Sequence, residues 1–417
     1  MAHFNASREF EMNQLRRRAT SFGLFSITLM LGVLVAVTGA ATLRLRLNAG
    51  SQSDSSPENS LPQSDWIPWS PPAIRPIPLD FPVLRRAVVD LHSDDIQPLV
   101  NRLEPPHPAP LSALLHAAQL YGLDTRIPVG ATTLPILDVL TAETRYFNGQ
   151  KIYIETPTGL RCLTQEPAYR HVQPERQTHP CQLLCEFAKQ GIPRDHKIIA
   201  NGATYSVADC VADLSANLAL ETDEPEWGCI ALICYLPPTK SWTDKNQHVV
   251  TFDAIAGCLM RQPTGSRRVQ GCFGIHRLEG LAMLARADET YSLLSSEMRT
   301  RVRSHLSSTV ERLLSSQSAD GSWDAWSHMP AESRPRSRQI EQNPETASEV
   351  AGRALVVSHH VHWMLMLAPK MQPANDTYRR AAHFLVNAVA SATDNDILRY
   401  YCPYSHAAKV LVSLTAG

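Results

Sequence analysis

No sign of charge prevails in this chain. Its 39 basic and 40 acidic residues leave a formal net charge of −1, which removes any global electrostatic case for a nucleic-acid partner. A local basic run, Arg334-Pro-Arg336-Ser-Arg338, sits in a polar loop and reads as solvated. Cys-x-x-Cys is missing as well. None of the nine cysteines (Cys162, Cys181, Cys185, Cys210, Cys229, Cys234, Cys258, Cys272 and Cys402) has that zinc-type spacing. An odd count leaves at least one cysteine unpaired or paired between chains, and no pairing follows from the spacing. Cys181, Cys185, Cys229 and Cys234 lie in apolar helical contexts, where a free thiol behaves as a small buried hydrophobe. Proline grows sparse after Pro263 but recurs every few residues from Pro57 to Pro110. That contrast predicts an irregular first half and a helical second half.

Charge is absent altogether from Ala19 to Leu43. The core of that stretch, Phe22–Ala41, has about the length a helix needs to cross a bilayer. Arg8, Arg16, Arg17 and Arg18 precede it, and only Arg44 and Arg46 follow closely. The positive-inside rule therefore predicts a single-pass signal-anchor with residues 1–18 cytoplasmic and the main domain extracytoplasmic. A cleaved signal peptide, with Thr38–Ala41 as its cleavage site, is the rival. The long apolar run and long N-terminal region favour an uncleaved anchor. Residues 44–81 are rich in Ser and Pro and read as a tether with a reach of roughly tens of ångströms. Trp66 and Trp69 would rest on the membrane interface or on the domain.

Residues 82–417 read as a mainly α domain of roughly ten to twelve helices joined by short loops. Pro110–Leu123 begins with proline and has Gly122 near its end. "TTLPILDVLTAE" is expected to be helical. Met298, Val302, Leu306, Val310 and Leu313 form one apolar stripe, with arginines opposite. "ETASEVAGRALVVSHHVHWMLML" is apolar almost all round and should be an inner helix. Between the helices, Asn148-Gly149 and Thr156–Gly159 are turn signals. They predict a small β-hairpin or three-stranded flap near 145–164.

Gln317-Ser-Ala-Asp320-Gly321-Ser322-Trp323 resembles the QW-type turn of squalene–hopene cyclases and the related turns of protein prenyltransferase β-subunits. The resemblance implies an α/α-toroid-like array of helical hairpins, a terpenoid cyclase-like fold. In that family the turn links an outer helix to an inner one, so the role carried over is structural. The cyclases' Asp-x-Asp-Asp is absent, and so is Asp-Asp-x-x-Asp. Asp253 and Cys258 do not have the prenyltransferase zinc spacing. The resemblance therefore supports the architecture and not isoprenoid chemistry.

A toroid places its inner helices around one cavity, and three clusters are candidates to face it. The first is Cys272, His276, Arg277 and Glu279. Cys272 and His276 are four apart, on one side of a helix, as a nucleophile–base pair or half of a zinc site. The second is His359, His360, His362 and Trp363. His360 falls near a polar stripe with Glu349 and Arg353, and such a stripe needs partners. The third is Arg399, Tyr400, Tyr401, Cys402, Tyr404 and His406, types suited to proton transfer on a sugar acid or to packing under the last helix. His276, His360, Cys272 and His406 are the candidate catalytic residues, and Cys272, His276 and His360 the candidate metal ligands, with zinc as the metal. The resulting expectation is a membrane-anchored extracytoplasmic toroid whose His-rich cavity acts on a small molecule, a lipid-derived group or a glycan. A non-catalytic membrane-tethered binding or scaffold module is the alternative.

Overall fold

A computed structural model describes residues 69–81, 91–105, 110–142, 152–162, 179–222, 224–261, 272–334 and 348–415. The segment expected to span a membrane, 19–43, lies outside these residues. No helix among the described residues is long and apolar enough to cross one.

Three successive units repeat one plan: a buried helix, a two-stranded antiparallel hairpin, and a helix on the outside. The first is α2 (Leu111–Tyr121), β1 (Arg126–Val129), β2 (Thr132–Pro135) and α3 (Ile136–Thr141), which follow α1 (Ser93–Asn101). A hairpin β3 (Tyr153–Thr156) and β4 (Gly159–Cys162) stands between the first and second units. The second unit is α4 (Gln182–Lys189), β5 (Lys197–Ala200), β6 (Ala203–Ser206) and α5 (Val207–Asn217). The third is α6 (Glu226–Tyr235), β7 (Ser241–Thr243), β8 (Val249–Thr251) and α7 (Phe252–Met260). Longer helix pairs follow: α8 (His276–Tyr291) with α9 (Ser296–Ser316), then α10 (Glu349–Met366) with α11 (Asn375–Ser391). The chain closes with α12 (Asp394–Arg399) and α13 (Tyr401–Leu414).

Local chemistry sets these boundaries. Ser206 and Asp209 form a reciprocal capping box that starts α5 as β6 ends. Thr251 does the same work for α7 by accepting from the Ala254 amide at 3.0 Å. The "TTLPILDVLTAE" stretch begins as strand, not helix. Thr132 and Thr133 are β-branched, Pro135 disfavours helix in the residue before it, and α3 starts only after that proline. The hairpin expected near 145–164 is present at 153–162, turning at Pro157-Thr158. Asn148-Gly149 lies outside the described residues. The other three hairpins were not anticipated.

Burial separates the helices into two sets. All ten residues of α6 are buried, as are Gln182–Ala188 of α4 and Ala354–Met366 of α10. Helices apolar all round belong inside. By contrast, α9 buries Val302, Leu306, Val310 and Leu313 and keeps most of its arginines outward. Among the buried helices, α2 packs on α4, α4 on α6, α6 on α8, α8 on α10, α10 on α13, and α13 back on α2. The order of neighbours returns to its start. Residues 69–81, the end of the expected tether, lie against this body. The Arg75 and Leu79 amides donate to the carbonyls of Tyr235 and Cys234 at 2.8 and 2.9 Å, and Trp69 Nε1 donates to Thr243 O at 3.0 Å. None of the nine cysteines, all within the described residues, forms a disulfide.

The Gln317–Trp323 turn is a junction of three helices. Gln317 Nε2 donates to the Gly321 carbonyl at 2.9 Å and to Thr377 O of α11 at 3.1 Å. Asp320 accepts from Ser322 N and Oγ and pairs with Arg353 of α10. Trp323 is buried and donates to Leu313 O of α9 at 2.8 Å. Gly321 sits at φ +91°, and a Cβ there would stand 2.0 Å from Arg380 O. Gly202, at φ +80°, has open space around it. Gly321→Ala should therefore cost roughly 2 kcal/mol or more, combining backbone strain with a clash. Gly202→Ala should cost only the backbone term, about 1 kcal/mol. Urea midpoints of the two variants test this, and equal midpoints would refute the close approach.

Candidate functional site

Helical pitch sorts the inward-facing polar residues into tiers. On α8, His276, Glu279 and Met283 recur at one-turn spacing along one face. On α10, His359, His362 and Met366 do the same. Cys402, His406 and Lys409 follow on α13, His116 and Gln119 on α2, and Glu186 and Lys189 on α4. The first tier is made of imidazoles and thiols, the second of charges.

In the first tier, one donor atom each from Cys272, His276 and His359 lies within 4.8 Å of the others, all three residues buried. The His276 and His359 rings meet edge-on at 4.4 Å between centroids. His359 lies 4.3 Å from His406, and His406 lies 5.0 Å from His116. Trp227 of α6 packs at 4.2 Å from His276 and stacks on His179 at 4.9 Å. His179 Nδ1 lies 2.9 Å from Glu224 Oε1. Nδ1 of His276 is held 3.1 Å from Glu279 Oε2, while its Nε2 has no hydrogen-bond partner; neither has Nε2 of His359.

In the second tier, Glu279 Oε1 lies 2.9 Å from Lys189 Nζ and 3.5 Å from His362 Nε2. Glu186 Oε1 accepts from Gln119 Nε2 at 2.7 Å and lies 3.2 Å from Lys189. Below it opens a cavity of about 180 Å³ lined by Lys189, Lys409, His362, Met283, Met366 and the strap residues Leu79 and Phe81, among others.

The electrostatics follow from burial and partners. Burial alone would raise the Cys272 thiol, but the imidazoles beside it, His276 first and then His179, outweigh burial and hold it below its ordinary value. Burial works against charge on His276, yet Cys272 and Glu279 push it up to about 9. Burial would likewise raise Glu279, and Lys189, His276 and His362 carry it well below the carboxylate range. For His359 the charge of Glu279 offsets only part of the burial, and His406 has no carboxylate beside it. Burial, with neighbouring imidazoles, keeps both neutral well below the usual histidine range.

Three of the four candidate catalytic residues meet here, Cys272, His276 and His406, together with Glu279, His359, His362 and Cys402 of the same sequence clusters. His360 does not. It is fully buried on another face of α10, where it accepts from Trp363 Nε1 at 3.3 Å and meets the Trp323 ring edge-on at 5.8 Å. Its neighbour His359 faces the cluster instead, because consecutive helical residues point about 100° apart. The tyrosines of the third cluster are structural where their bonds are defined: Tyr401 donates to Leu103 O at 2.9 Å. His116, His179 and Lys189 were overlooked. The shared one-turn spacing of His276/Glu279 and His359/His362 was the available signal.

Comparison with protein families, with curated proteins and with solved structures finds no match.

Two predictions follow from the tiers. Lys189→Met strands Glu279 in the interior and should cost about 3–5 kcal/mol, while Lys189→Met with Glu279→Gln should recover part of that loss. Thermal denaturation of the two variants decides it; no recovery in the double variant would argue against the pair. Burial also lowers His116 and His362 from 6.5 to about 4. The unfolded chain therefore takes up protons at these positions between about pH 6.5 and 4, where the folded chain does not. Stability of the metal-free protein should fall as pH falls across that window, by up to about 1.4 kcal/mol per pH unit for each histidine. Glu279 adds to the loss at more acid pH. Denaturant titrations from pH 7 to pH 4 measure the slope, and a flat profile would contradict the buried neutral imidazoles.

Proposed function

We propose that this protein is a zinc protein whose metal centre, Cys272–His276–His359, lies inside an α/α toroid, and that the centre serves an enzyme. The reading of the architecture rests on the closed order of buried helices and on the outer-to-inner linkage made by the Gln317–Trp323 turn. The observation that carries the metal is the pair of unpartnered Nε2 atoms on His276 and His359 beside a buried thiol. One sulfur and two imidazoles suit zinc and leave a fourth position for water or substrate, as in catalytic sites.

Glu279 supplies the outer support such a ligand needs. It accepts from Nδ1 of His276 and so directs Nε2 at the metal position. Lys189 and His362 keep that carboxylate ionised. His359 is supplied neutral, in its ligating form. Trp227, stacked on His179 and packed against His276, shields one side of the centre from water. Zinc held there would polarise a substrate oxygen or lower the pKa of a bound water. In the wider reading the anchor at 19–43 holds this domain on the extracytoplasmic face of a membrane, with a small molecule, a lipid-derived group or a glycan as substrate.

A second reading has one observation in its favour. Cys272, His276 and Glu279 also follow the order nucleophile, base, orienting carboxylate, with the thiol lowered and the imidazole raised. It leaves Nε2 of the buried His359 without a task, which places it behind the metal reading.

The full-length chain purified in mild detergent without chelator should carry tightly held zinc. Cys272→Ala and His359→Ala should lose most of it, and His360→Ala should keep it. Zinc that survives Cys272→Ala and His359→Ala, or a zinc-free wild type whose Cys272 reacts rapidly with iodoacetamide, would transfer the case to the nucleophile reading.

A further inference from the structure

The metal centre just described uses only half of the first tier. His116, Cys402 and His406 form a second group whose donor atoms lie within 4.8 Å of one another. Cys402 and His406 are one turn apart on α13 and share a face. His116 comes from α2, the helix that packs against α13 on the far side from α10. Each group thus offers one sulfur and two imidazoles, and in each the imidazoles come from two neighbouring buried helices.

We propose that His116, Cys402 and His406 hold a second divalent metal, so that the lumen carries two metals side by side. The inference rests on the reading of Cys272, His276 and His359 as the first centre.

Three observations point to this group as a ligand set. His116 Nδ1 lies 2.6 Å from Ser112 O and must donate to it. The proton is therefore on Nδ1, and Nε2 keeps its lone pair for a metal, the arrangement usual for ligating histidine. His406 belongs geometrically with His116 and Cys402: its ring stands 6.4 Å from that of His276, outside the first donor set. His406 also abuts His359 at 4.3 Å, which sets the two groups directly next to each other. Thiolate with imidazole selects zinc over magnesium or calcium, the same choice as in the first centre. Cys402 is partly exposed where Cys272 is buried, so the second site is the one metal reaches more readily.

Metal content separates this proposal from the one beneath it. Chelator-stripped full-length chain in mild detergent is titrated with Zn²⁺ and bound metal is counted per folded chain, circular dichroism reporting folding. Wild type should bind about two equivalents. Cys402→Ser and His116→Gln should each lower this to about one, and so should Cys272→Ser. Cys402 is partly exposed and Ser is nearly isosteric, so the fold should tolerate that change; His116→Gln keeps a polar group at the second ligand position. A single equivalent removed by Cys272→Ser but untouched by Cys402→Ser and His116→Gln overturns the second site and leaves the first. A single equivalent lost in both Cys272→Ser and His406→Ala, but in neither other variant, overturns it too, because His406 then completes one four-ligand site. No bound metal in wild type overturns both.

Discussion

Glu279 is a carboxylate almost sealed from solvent, and the inner helices are arranged around it. An ionised carboxylate in such a place is costly unless charge and hydrogen bonds surround it. Here the support comes from Lys189 on α4, His276 on its own helix and His362 on α10. Each comes at a fixed helical register. Rotating α4 or α10 by one residue would withdraw Lys189 or His362, and rotating α8 would carry Glu279 away from both. The requirement to satisfy Glu279 therefore sets how these helices face each other. The same carboxylate holds Nδ1 of His276, so the constraint that stabilises the interior also aims the imidazole.

The turn at Gln317–Trp323 fixes α10 from its other side. Arg353 and His360 are two turns apart on one face of that helix. Arg353 pairs with Asp320, and His360 lies against Trp323. With this face committed to the turn, His359, His362 and Met366 are carried toward Glu279 and its neighbours. The polar stripe that the sequence marks on α10 does find partners, and they are the turn residues. The turn has no chemistry of its own, yet it decides which histidine of His359-His360 reaches the cluster.

Much of the architecture was legible in local sequence. The capping of α5 by Ser206, the stripe on α9 and the all-round apolar α10 are properties of neighbouring residues, and each is present. The hairpins were mostly illegible. Gly130 and Asn201-Gly202 mark two of them as clearly as Thr156–Gly159 marks its own, but the second strand of each runs without a break into a helix, at Pro135-Ile136 and Ser206-Val207, and reads as part of it. The repeat of buried helix, hairpin and outer helix passed unseen for the same reason. At the site, Cys272 and His276 were legible because only four residues separate them, although Cys272 lies in a 3-10 turn before α8 and not on one helix with His276 as the spacing suggested. His116, His179 and Lys189 were not. Each comes from a distant element, and only the closed order of helices brings them near. The choice of His360 over His359 failed on a rotation of about 100°, which periodicity within a helix apolar on every side cannot define.

The order of the tiers has a physical logic. Cys272 sits just before α8, where backbone amides and the helix dipole favour a thiolate; burial opposes charge on His179 and His276, but Glu224, Glu279 and Cys272 hold their protons on them. The lowered thiol of Cys272 and the neutral His359 are the soft donors at that end. One turn further in, that advantage has faded, and charge is kept only by direct pairing, as in Glu186–Lys189–Glu279. Lys409 lacks such a close pair; burial, together with the charge of Lys189, brings its amine down to about 8. A cation placed in the first tier is therefore separated from the lysines by Glu279 and met by thiolate on its own side. The interior thus offers a positive ion one tier suited to it and screens that tier from the cationic groups below.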